Sequence, residues 1–176
     1  AHGFARTFQN IRLFPKMTVL DNVMVGMHVQ TKLSGKERFI PGKAKRAMNM
    51  AIERAEELLK LFGLYENRFE MATSLPYGDQ RKVEIVRALA IRPKLLLLDK
   101  PAAGMNGAET EELGKLVYNL RDMGNTILLI EHDMRFVMNI CDRLYVLNDG
   151  ALIAEGTPAE IRANPIVIEA YLGKDE

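Results

Sequence analysis

The chain has 176 residues, of which 48% are hydrophobic and 27% charged, a composition typical of one globular domain with a core of its own. The formal net charge of +1, with scattered basic residues, gives no indication of nucleic-acid binding. No apolar run approaches the roughly 18–20 residues that cross a bilayer, so we expect any membrane association to go through a partner protein. The single cysteine, Cys141, excludes an internal disulfide and is expected to be a small core residue in a reducing compartment.

The amino-terminal part predicts a strand, a helix and a loop. Residues 4–8 form the strand, which leads into Gln9. A capping box at Thr18–Asp21 predicts a helix that runs to Val29. Residues 30–43 are rich in polar side chains, glycine and proline, and they predict a loop or a short helix.

A long amphipathic helix follows and ends at Gly63. One face of it is apolar and is expected to lie in the core; it consists of Ala44, Ala47, Met48, Ala51, Ile52, Ala55, Leu58, Leu59 and Phe62.

A polar glycine turn opens the next predicted helix, and it consists of Tyr77, Gly78, Asp79 and Gln80. The apolar positions of this helix recur every three or four residues, so its charged side chains are expected on the other side; these are Arg81, Lys82, Glu84 and Arg87. The first N–H groups of a helix lack partners and carry partial positive charge, and glycine lets a ligand approach them. The amino end of this helix is therefore a predicted anion site, with phosphate as the obvious anion.

Two short apolar runs each end in polar residues. Leu95–Leu98 precedes Asp99, and Thr126–Ile130 precedes His132, with a predicted helix over Glu109–Met123 between them. Such runs favour parallel strands covered on both faces, whose carboxyl ends are where open α/β sheets bind ligands. Taken alone, each run is also compatible with an ordinary strand end, in which Asp99 closes a turn and His132 makes a structural hydrogen bond.

The carboxyl-terminal part predicts a short helix at Met134–Ile140 and then a hairpin. Its strands are Arg143–Leu147 and Ala151–Ala154, because the Asp-Gly pair between them favours the positive φ angles of a tight turn. A capping box at Thr157–Glu160, with proline at the first helical position, starts the last helices.

Several segments, in this order and spacing, resemble motifs of an ATP-binding-cassette (ABC) nucleotide-binding domain. The signature motif is matched by LPYGDQ (75–80) with RALA (87–90). The Walker B strand and the D-loop after it are matched by LLLLDKPAAGMN (95–106). The segment with the switch histidine is matched by LLIEHD (128–133). ARTFQNIRLFPKMTVLDNV (5–23) resembles the Q-loop segment. The tail GTPAEIRANPIVIEAYLG (156–173), with YGDQ and PAAGMN, is similar to the ATP-binding subunits of branched-chain amino-acid importers.

This resemblance implies an α/β fold with a P-loop NTPase-like parallel sheet and a helical sub-domain, amino-terminally truncated. The implied boundaries are about 17–90 for the helical sub-domain with the signature motif, 91–156 for the core sheet and 157–176 for the carboxyl-terminal helices. The implied cofactors are ATP and Mg²⁺. The implied partners are membrane permease subunits and a second ATP-binding subunit, with no nucleic acid, on the cytoplasmic face of the cell membrane. Truncation would expose a sheet edge and so predicts aggregation or an altered oligomer.

The resemblance also implies roles for single residues. Asp99 would hold Mg²⁺, Gln9 would reach the metal and the attacking water, and His132 would contact the γ-phosphate. The other nucleotide contacts would come from the signature turn, which closes over a partner's nucleotide, and from the D-loop; they are Tyr77, Gly78, Asp79, Gln80 and Asn106.

Three departures from the family pattern predict weak nucleotide binding and almost no hydrolysis. The phosphate-cradling string G-x-x-x-x-G-K-[ST] does not occur in the chain. Lys100 stands at the catalytic position where the family has a glutamate as general base, and loss of a positioned base costs about 10²- to 10⁴-fold in rate. Lys100 can still attract phosphate. Pro76 replaces a serine whose hydroxyl and N–H reach the γ-phosphate.

Two further functions compete with an importer ATPase. The first is a non-catalytic module that docks to a membrane subunit or an intact cassette, which a signature motif without a base would suit. The second is a DNA-repair or chromosome-organising ATPase on the same fold, which is disfavoured because the chain has none of the long heptad repeats of those proteins.

Overall fold

The computed structural model of the chain describes residues 3–31 and 42–172. The strands are β1 (Phe4–Arg6), β2 (Leu95–Asp99), β3 (Thr126–Ile130), β4 (Leu144–Asn148) and β5 (Ala151–Gly156). The helices are α1 (Val19–Thr31), α2 (Lys43–Leu61), α3 (Tyr77–Ala90), α4 (Gly107–Asp122), α5 (Met134–Ile140), α6 (Pro158–Arg162) and α7 (Pro165–Val167). A 3₁₀ turn at Ala72–Ser74 precedes α3, and a π-helical turn at Ile168–Leu172 follows α7. Most of the loop predicted at 30–43 lies outside the described residues.

β1, β2 and β3 form a parallel sheet in that order, which confirms the predicted parallel pairing. The register aligns Arg6 with Leu97 and Leu97 with Leu128, and it places Asp99 opposite Ile130. β4 and β5 form a separate antiparallel hairpin, as predicted, and Asp149 and Gly150 both adopt positive φ in its turn.

The two faces of the parallel sheet differ in cover. Leu96 and Leu98 are buried against the helices, whereas Leu128 and Ile130, on the other face, are 47% and 48% exposed. The expectation that the strands are covered on both faces is therefore wrong for β3 in the described part of the chain. The reason is that the helices described here pack against one face of the sheet only.

Two apolar clusters hold the elements together. The larger joins α1, α2, α3 and α4 to the covered face of the sheet, and the smaller joins the β4–β5 hairpin to α5, α6 and α7. The predicted core stripe of α2 is wrong for its first turns, since Ala44 and Met48 are exposed. The buried positions lie along the second half of the helix, where α2 joins the larger cluster; they are Ala51, Ala55, Leu58 and Leu59, followed by Phe62.

Local signals placed the helix ends well. Asp21 N–H donates to Thr18 Oγ1 at 3.1 Å before α1, and Thr157 and Glu160 form the predicted capping box of α6. Gly63 adopts φ +70° just after α2, as a carboxyl-terminal glycine does. Within 3–31 and 42–172, no helix is both long and apolar enough to span a bilayer.

Candidate functional site

Asp99 lies at the carboxyl end of β2, on the more open face of the parallel sheet. Its side chain is 21% exposed and accepts a hydrogen bond from Arg6 Nη2 at 2.8 Å. The Arg6 side chain is half exposed, and such surface ion pairs contribute about 0–1 kcal/mol. Another cation could therefore replace Arg6 at this carboxylate at little cost.

This environment suits a Mg²⁺ ion that is coordinated jointly by the protein and a bound ligand, rather than by the protein alone. Mg²⁺ commonly uses one or two carboxylates and completes its shell with water and substrate phosphates. Asp99 offers a hard oxygen, and no group of three or more acidic, histidine or cysteine side chains in the described ranges could hold a metal by itself. A metal here would therefore depend on the phosphates of a ligand.

The next strand ends in a second polar pair, Glu131 and His132. The register places Asp99 opposite Ile130, so His132 follows two residues later on the neighbouring strand. The His132 side chain is 76% exposed, whereas that of Glu131 is 2% exposed. One Glu131 oxygen accepts a hydrogen bond from Ala102 N–H at 3.0 Å, and the other lies 3.6 Å from His132 Nδ1.

Glu131 was missed by the sequence reasoning, although an acidic residue directly before a strand-end histidine was a usable signal. Its carboxylate ties the end of β3 to the D-loop that follows β2. That contact joins the segment carrying His132 to the segment carrying Lys100, because Lys100 N–H also donates to Ile130 O at 2.9 Å.

Lys100 has a strained backbone. Its φ is +45°, although it is not glycine, and a left-handed residue of this kind costs about 1–2 kcal/mol. Such strain persists only where the surrounding structure imposes it. The position next to Asp99 is thus fixed by the fold, while its side chain offers no carboxylate to accept a proton.

The D-loop leads from Lys100 to α4. Gly104, at φ +81°, lies against the ring of Tyr77, which a Cβ at this glycine would approach to 3.1 Å. Asn106 accepts a hydrogen bond from Glu109 N–H at 3.0 Å and forms a capping box with Glu109. The side chain of Asn106 therefore caps α4, and its contact with nucleotide stays a prediction.

The amino end of α3 is uncapped by any side chain. Pro76 precedes it and makes no side-chain cap, which leaves the first N–H groups of the helix without that partner. Gln80 Nε2 donates to Leu75 O at 2.9 Å, and Asp79 pairs with Lys82 at 3.0 Å, so both side chains are engaged within their own segment. The anion site predicted here therefore rests on backbone groups and helix polarity.

Lys82 links this turn to α4, since its Nζ lies 2.9 Å from a Glu112 oxygen. Burial opposes the charge on Lys82, but hydrogen bonds to Glu112 and Asp79 outweigh it and hold the pKa of the ammonium above its usual value. Lys82 therefore stays charged and braces the signature turn against α4.

The charged residues of α3 correct the sequence expectation. Arg81, Lys82 and Glu84 were expected opposite the apolar face, yet all three are buried. Besides the pairs within α3, their partners come from distant parts of the chain, Glu112 on α4 and the loop before α1, which helical periodicity does not reveal. Arg87 is partly buried, and this burial lowers the pKa of its guanidinium.

Gln9 lies in that loop, directly after the parallel sheet. Its side chain is exposed, while its backbone carbonyl accepts a hydrogen bond from Arg81. Arg81 Nη1 also donates to Phe8 O at 2.6 Å, so the loop that carries Gln9 is held by α3. The fold thus places Asp99 beside the Glu131–His132 pair and packs the D-loop against Tyr77 of the signature turn.

Comparison with known proteins agrees with this arrangement. A sequence profile described as "ABC transporter" matches residues 1–103, and one described as "Branched-chain amino acid ATP-binding cassette transporter" matches residues 151–176. The chain is 49% identical over 174 residues to the high-affinity branched-chain amino acid transport ATP-binding protein LivG of Salmonella typhimurium. It is 45% identical over 178 residues to the corresponding protein BraF of Pseudomonas aeruginosa. Each alignment covers 98% of this chain and 68% of the relative.

Solved structures give the same result. An ATP-binding cassette of an ABC transporter in its ADP conformation aligns with a TM-score of 0.78 at 32% identity, covering 98% of this chain and 69% of that one. A nucleotide-free cassette aligns with a TM-score of 0.76 at 31% identity and the same coverage. The chain has the P-loop NTPase-like α/β fold and belongs to the ABC transporter family of nucleotide-binding proteins, in its branched-chain amino acid group.

Proposed function

We propose that this protein acts as the ATP-binding subunit of an importer for branched-chain amino acids, held at the cytoplasmic face of the membrane by permease subunits. The observation that carries the proposal is the placement of Asp99 beside the Glu131–His132 pair, at the carboxyl end of parallel strands. The names of LivG and BraF support the transported class, since both are branched-chain amino acid transport proteins.

Within this proposal, each side of the site has a separate task. Asp99, which now pairs with Arg6, would hold Mg²⁺, Gln9 would contribute to the same metal, and the exposed imidazole of His132 would contact the terminal phosphate. When bound, Mg²⁺ supplies neutralisation of the phosphate charge. The uncapped amino end of α3, at Tyr77–Gln80, faces the nucleotide of a second ATP-binding subunit.

Hydrolysis by this protein is proposed to be slow, because Lys100 occupies the position of the general base. An ammonium cannot take a proton from water, although it attracts phosphate. Pro76 adds to the deficit, since it offers neither a hydroxyl nor an N–H at the start of the signature turn. Nucleotide binding and the chemical step are therefore expected to be separable.

The permease is proposed to dock on a cleft of about 330 Å³ beside the Q-loop segment. Phe14 and Val25 at this cleft are 45% and 38% exposed, and Arg12 and Arg87 also line it. Burial lowers the pKa of Arg87, and Glu84, which also lines the cleft, lies 3.8 Å from its guanidinium, so a second carboxylate would stabilise this cation further. A helix of the permease that presents apolar side chains and one carboxylate would fit this surface.

The test is transport in vesicles reconstituted with the permease subunits and this protein in its natural full length. ATP-dependent uptake of labelled leucine, isoleucine and valine is expected at the slow rate that Lys100 imposes on hydrolysis, with no uptake of labelled glutamate. Asp99→Asn should abolish both the uptake and the effect of Mg²⁺ on nucleotide binding, while Asp122→Asn, a matched change on the surface of α4, should leave both intact. Uptake that survives Asp99→Asn would contradict the proposal.

A second function, a docking module without catalysis, is favoured by Lys100 and by the ion pair that Arg6 makes with Asp99. In that case an intact cassette supplies the working site, and this protein completes it through its signature turn. Hydrolysis by the mixed complex would then be unaffected by Asp99→Asn but lost with Gly78→Asp, which adds a carboxylate beside Glu109 at the amino end of α3 and so repels phosphate there. Failure to bind any cassette or permease would exclude this function.

A further inference from the structure

Arg81 and Glu84 form a buried ion pair one helical turn apart on α3. Arg81 Nη1 lies 2.7 Å from Glu84 Oε2, and their side chains are 0% and 2% exposed. A buried pair of this kind adds little net stability, because the cost of desolvating two charges offsets their attraction. A contribution to stability alone is thus a weak explanation for two buried charges on this helix.

Both side chains also bind the backbone of one distant loop. Arg81 donates to the carbonyl oxygens of Phe8, at 2.6 Å, and of Gln9. Glu84 Oε1 accepts a hydrogen bond from Arg12 N–H at 3.3 Å. Two side chains of α3 thus hold three backbone groups of residues 8–12, which lie more than 70 positions earlier in the chain.

The chemistry of arginine suits this task. Its guanidinium is planar and always charged, and its N–H groups diverge so that successive acceptors can be bound by one side chain. A lysine ammonium is a compact point charge without this planar set of donors, so it does not hold the same acceptors in a fixed geometry. Arg81 Nη2 also lies 3.4 Å from Tyr77 Oη, which connects the loop contact to the signature turn on the same helix.

We propose that Arg81 and Glu84 are positioning residues that clamp the loop carrying Gln9 to α3, so that this loop and the turn at Tyr77–Gln80 move as one unit. The functional meaning rests on the proposed function, in which Gln9 and the turn both approach nucleotide. The clamp itself is a property of the protein without nucleotide. It provides a route by which a displacement at one segment is transmitted to the other.

Amide hydrogen exchange on the full-length protein tests the clamp directly. The double variant Arg81→Met/Glu84→Leu removes both charges of this pair together, and it also removes the Glu84 oxygen that lies 3.8 Å from Arg87 Nη2. Its exchange in peptides covering 8–12 is expected to rise at least tenfold at Arg12 N–H, the amide of this loop that donates to Glu84. Arg81→Lys keeps the ion pair with Glu84 but loses the planar set of guanidinium donors. Amide exchange at 8–12 should therefore rise severalfold, while the free energy of unfolding in urea stays near that of the wild type.

Lys82→Met is the matched control, since Lys82 is a buried cation on the same helix whose partners are Asp79 and Glu112. It should leave exchange at 8–12 within twofold of the wild type. The inference is overturned if the double variant also stays within twofold there. It is equally overturned if exchange at 8–12 rises no more than exchange in α4, because that pattern reports general destabilisation.

A second readout separates positioning from packing. With Mg²⁺ and a non-hydrolysable ATP analogue, the wild type should show slower exchange at both 8–12 and 77–80. In the double variant the slowing should be much weaker at 8–12 than at 77–80, and a wild-type ratio between the two segments in that variant would contradict the clamp. If the analogue does not bind at all, the proposed function fails, while the comparison without nucleotide still decides the clamp.

Discussion

Lys100 shows how one side chain can separate binding from chemistry at an otherwise ordered site. Its backbone is fixed in a left-handed conformation between Asp99 and the D-loop, and its N–H binds β3. The fold therefore presents a side chain at the position where a base would act, but presents the wrong functional group. A change of that group alone is expected to change the rate.

We predict that Lys100→Glu raises ATP hydrolysis by about 10²- to 10⁴-fold, because it restores a carboxylate able to accept the proton of the attacking water. The measurement is phosphate release by the full-length protein under saturating MgATP. Lys100→Met is the control, since it removes the positive charge without adding a base. Equal rates for the Glu and Met variants would show that charge, rather than proton abstraction, limits the reaction.

A second residue-scale prediction concerns Cys141. Burial, and secondarily the neighbouring Asp142 charge, raises the pKa of its thiol. The thiolate is the reactive form, so a raised pKa lowers the reactive fraction at pH 8. Alkylation by iodoacetamide at this pH should be slower in the folded protein than in urea, and Asp142→Asn should accelerate it slightly. Equal rates in folded and unfolded protein would contradict this account.

Helix packing, rather than helix propensity, decides the outcome of substitutions at the element scale. Gly26 lies on α1 where this helix crosses α3, and a Cβ there would come within 2.5 Å of Arg87 O. The obstacle is backbone, which cannot swing aside as a side chain can. The close approach of the two helices therefore depends on the absence of a side chain at this position.

We predict that Gly26→Ala destabilises the protein by about 1–3 kcal/mol, the usual range for overpacking a core. Helix propensity alone predicts the opposite sign, since alanine is favoured over glycine by about 1 kcal/mol in a helix interior. Urea denaturation measures the difference. Gly107→Ala, in the first turn of α4 with no atom within 4 Å of the added Cβ, should be neutral or slightly stabilising. A stable Gly26→Ala variant would show that α1 can shift away from α3.

Asn106 gives a second element-scale prediction, because it caps α4. Asn106→Ala should cost about 0.5–2 kcal/mol of stability, whereas Asn106→Asp should retain the cap. The two variants also separate capping from nucleotide contact. If both weaken binding of an ATP analogue while only the alanine variant loses stability, then the amide itself contacts the nucleotide, as the sequence predicts.

At the scale of the whole molecule, the open face of the parallel sheet is the dominant feature. Phe4, Leu128 and Ile130 are exposed, and Leu95 and Leu97 on the same face are half-buried. The β4–β5 hairpin adds exposed Tyr145, Leu147 and Leu152. Exposed apolar side chains grouped on one sheet face in this way mark an interface or an aggregation hazard.

We predict that the 176-residue chain expressed alone associates in a concentration-dependent way, which sedimentation velocity measures. Replacing Leu128 and Ile130 by threonine, which keeps strand propensity, should reduce the association. Met123→Ser, which removes a comparably exposed apolar side chain outside the sheet face, should not. A monomer at high concentration would contradict this prediction.

The sequence alone determined the local structure of this protein, and the family resemblance supplied the expected roles of its site residues. Capping boxes, helix-ending glycines and an Asp-Gly turn act over a few residues, and they placed α1, α6 and the β4–β5 hairpin. Unbroken apolar runs ending in Asp99 and in Glu131–His132 predicted parallel strands, and the register confirms their pairing. These features could be read because their physical causes lie within one element or between its immediate neighbours.

Only the tertiary structure decided which charges are buried and which apolar faces are open. Arg81 and Glu84 resemble surface positions in a helical pattern, yet they bind a loop from the start of the chain. Arg6 pairs with Asp99, and Gly26 allows α1 and α3 to pack closely; both contacts join residues more than 60 positions apart. The burial of a charge depends on partners that the folded chain brings close, and a periodic pattern within one helix contains no information about them.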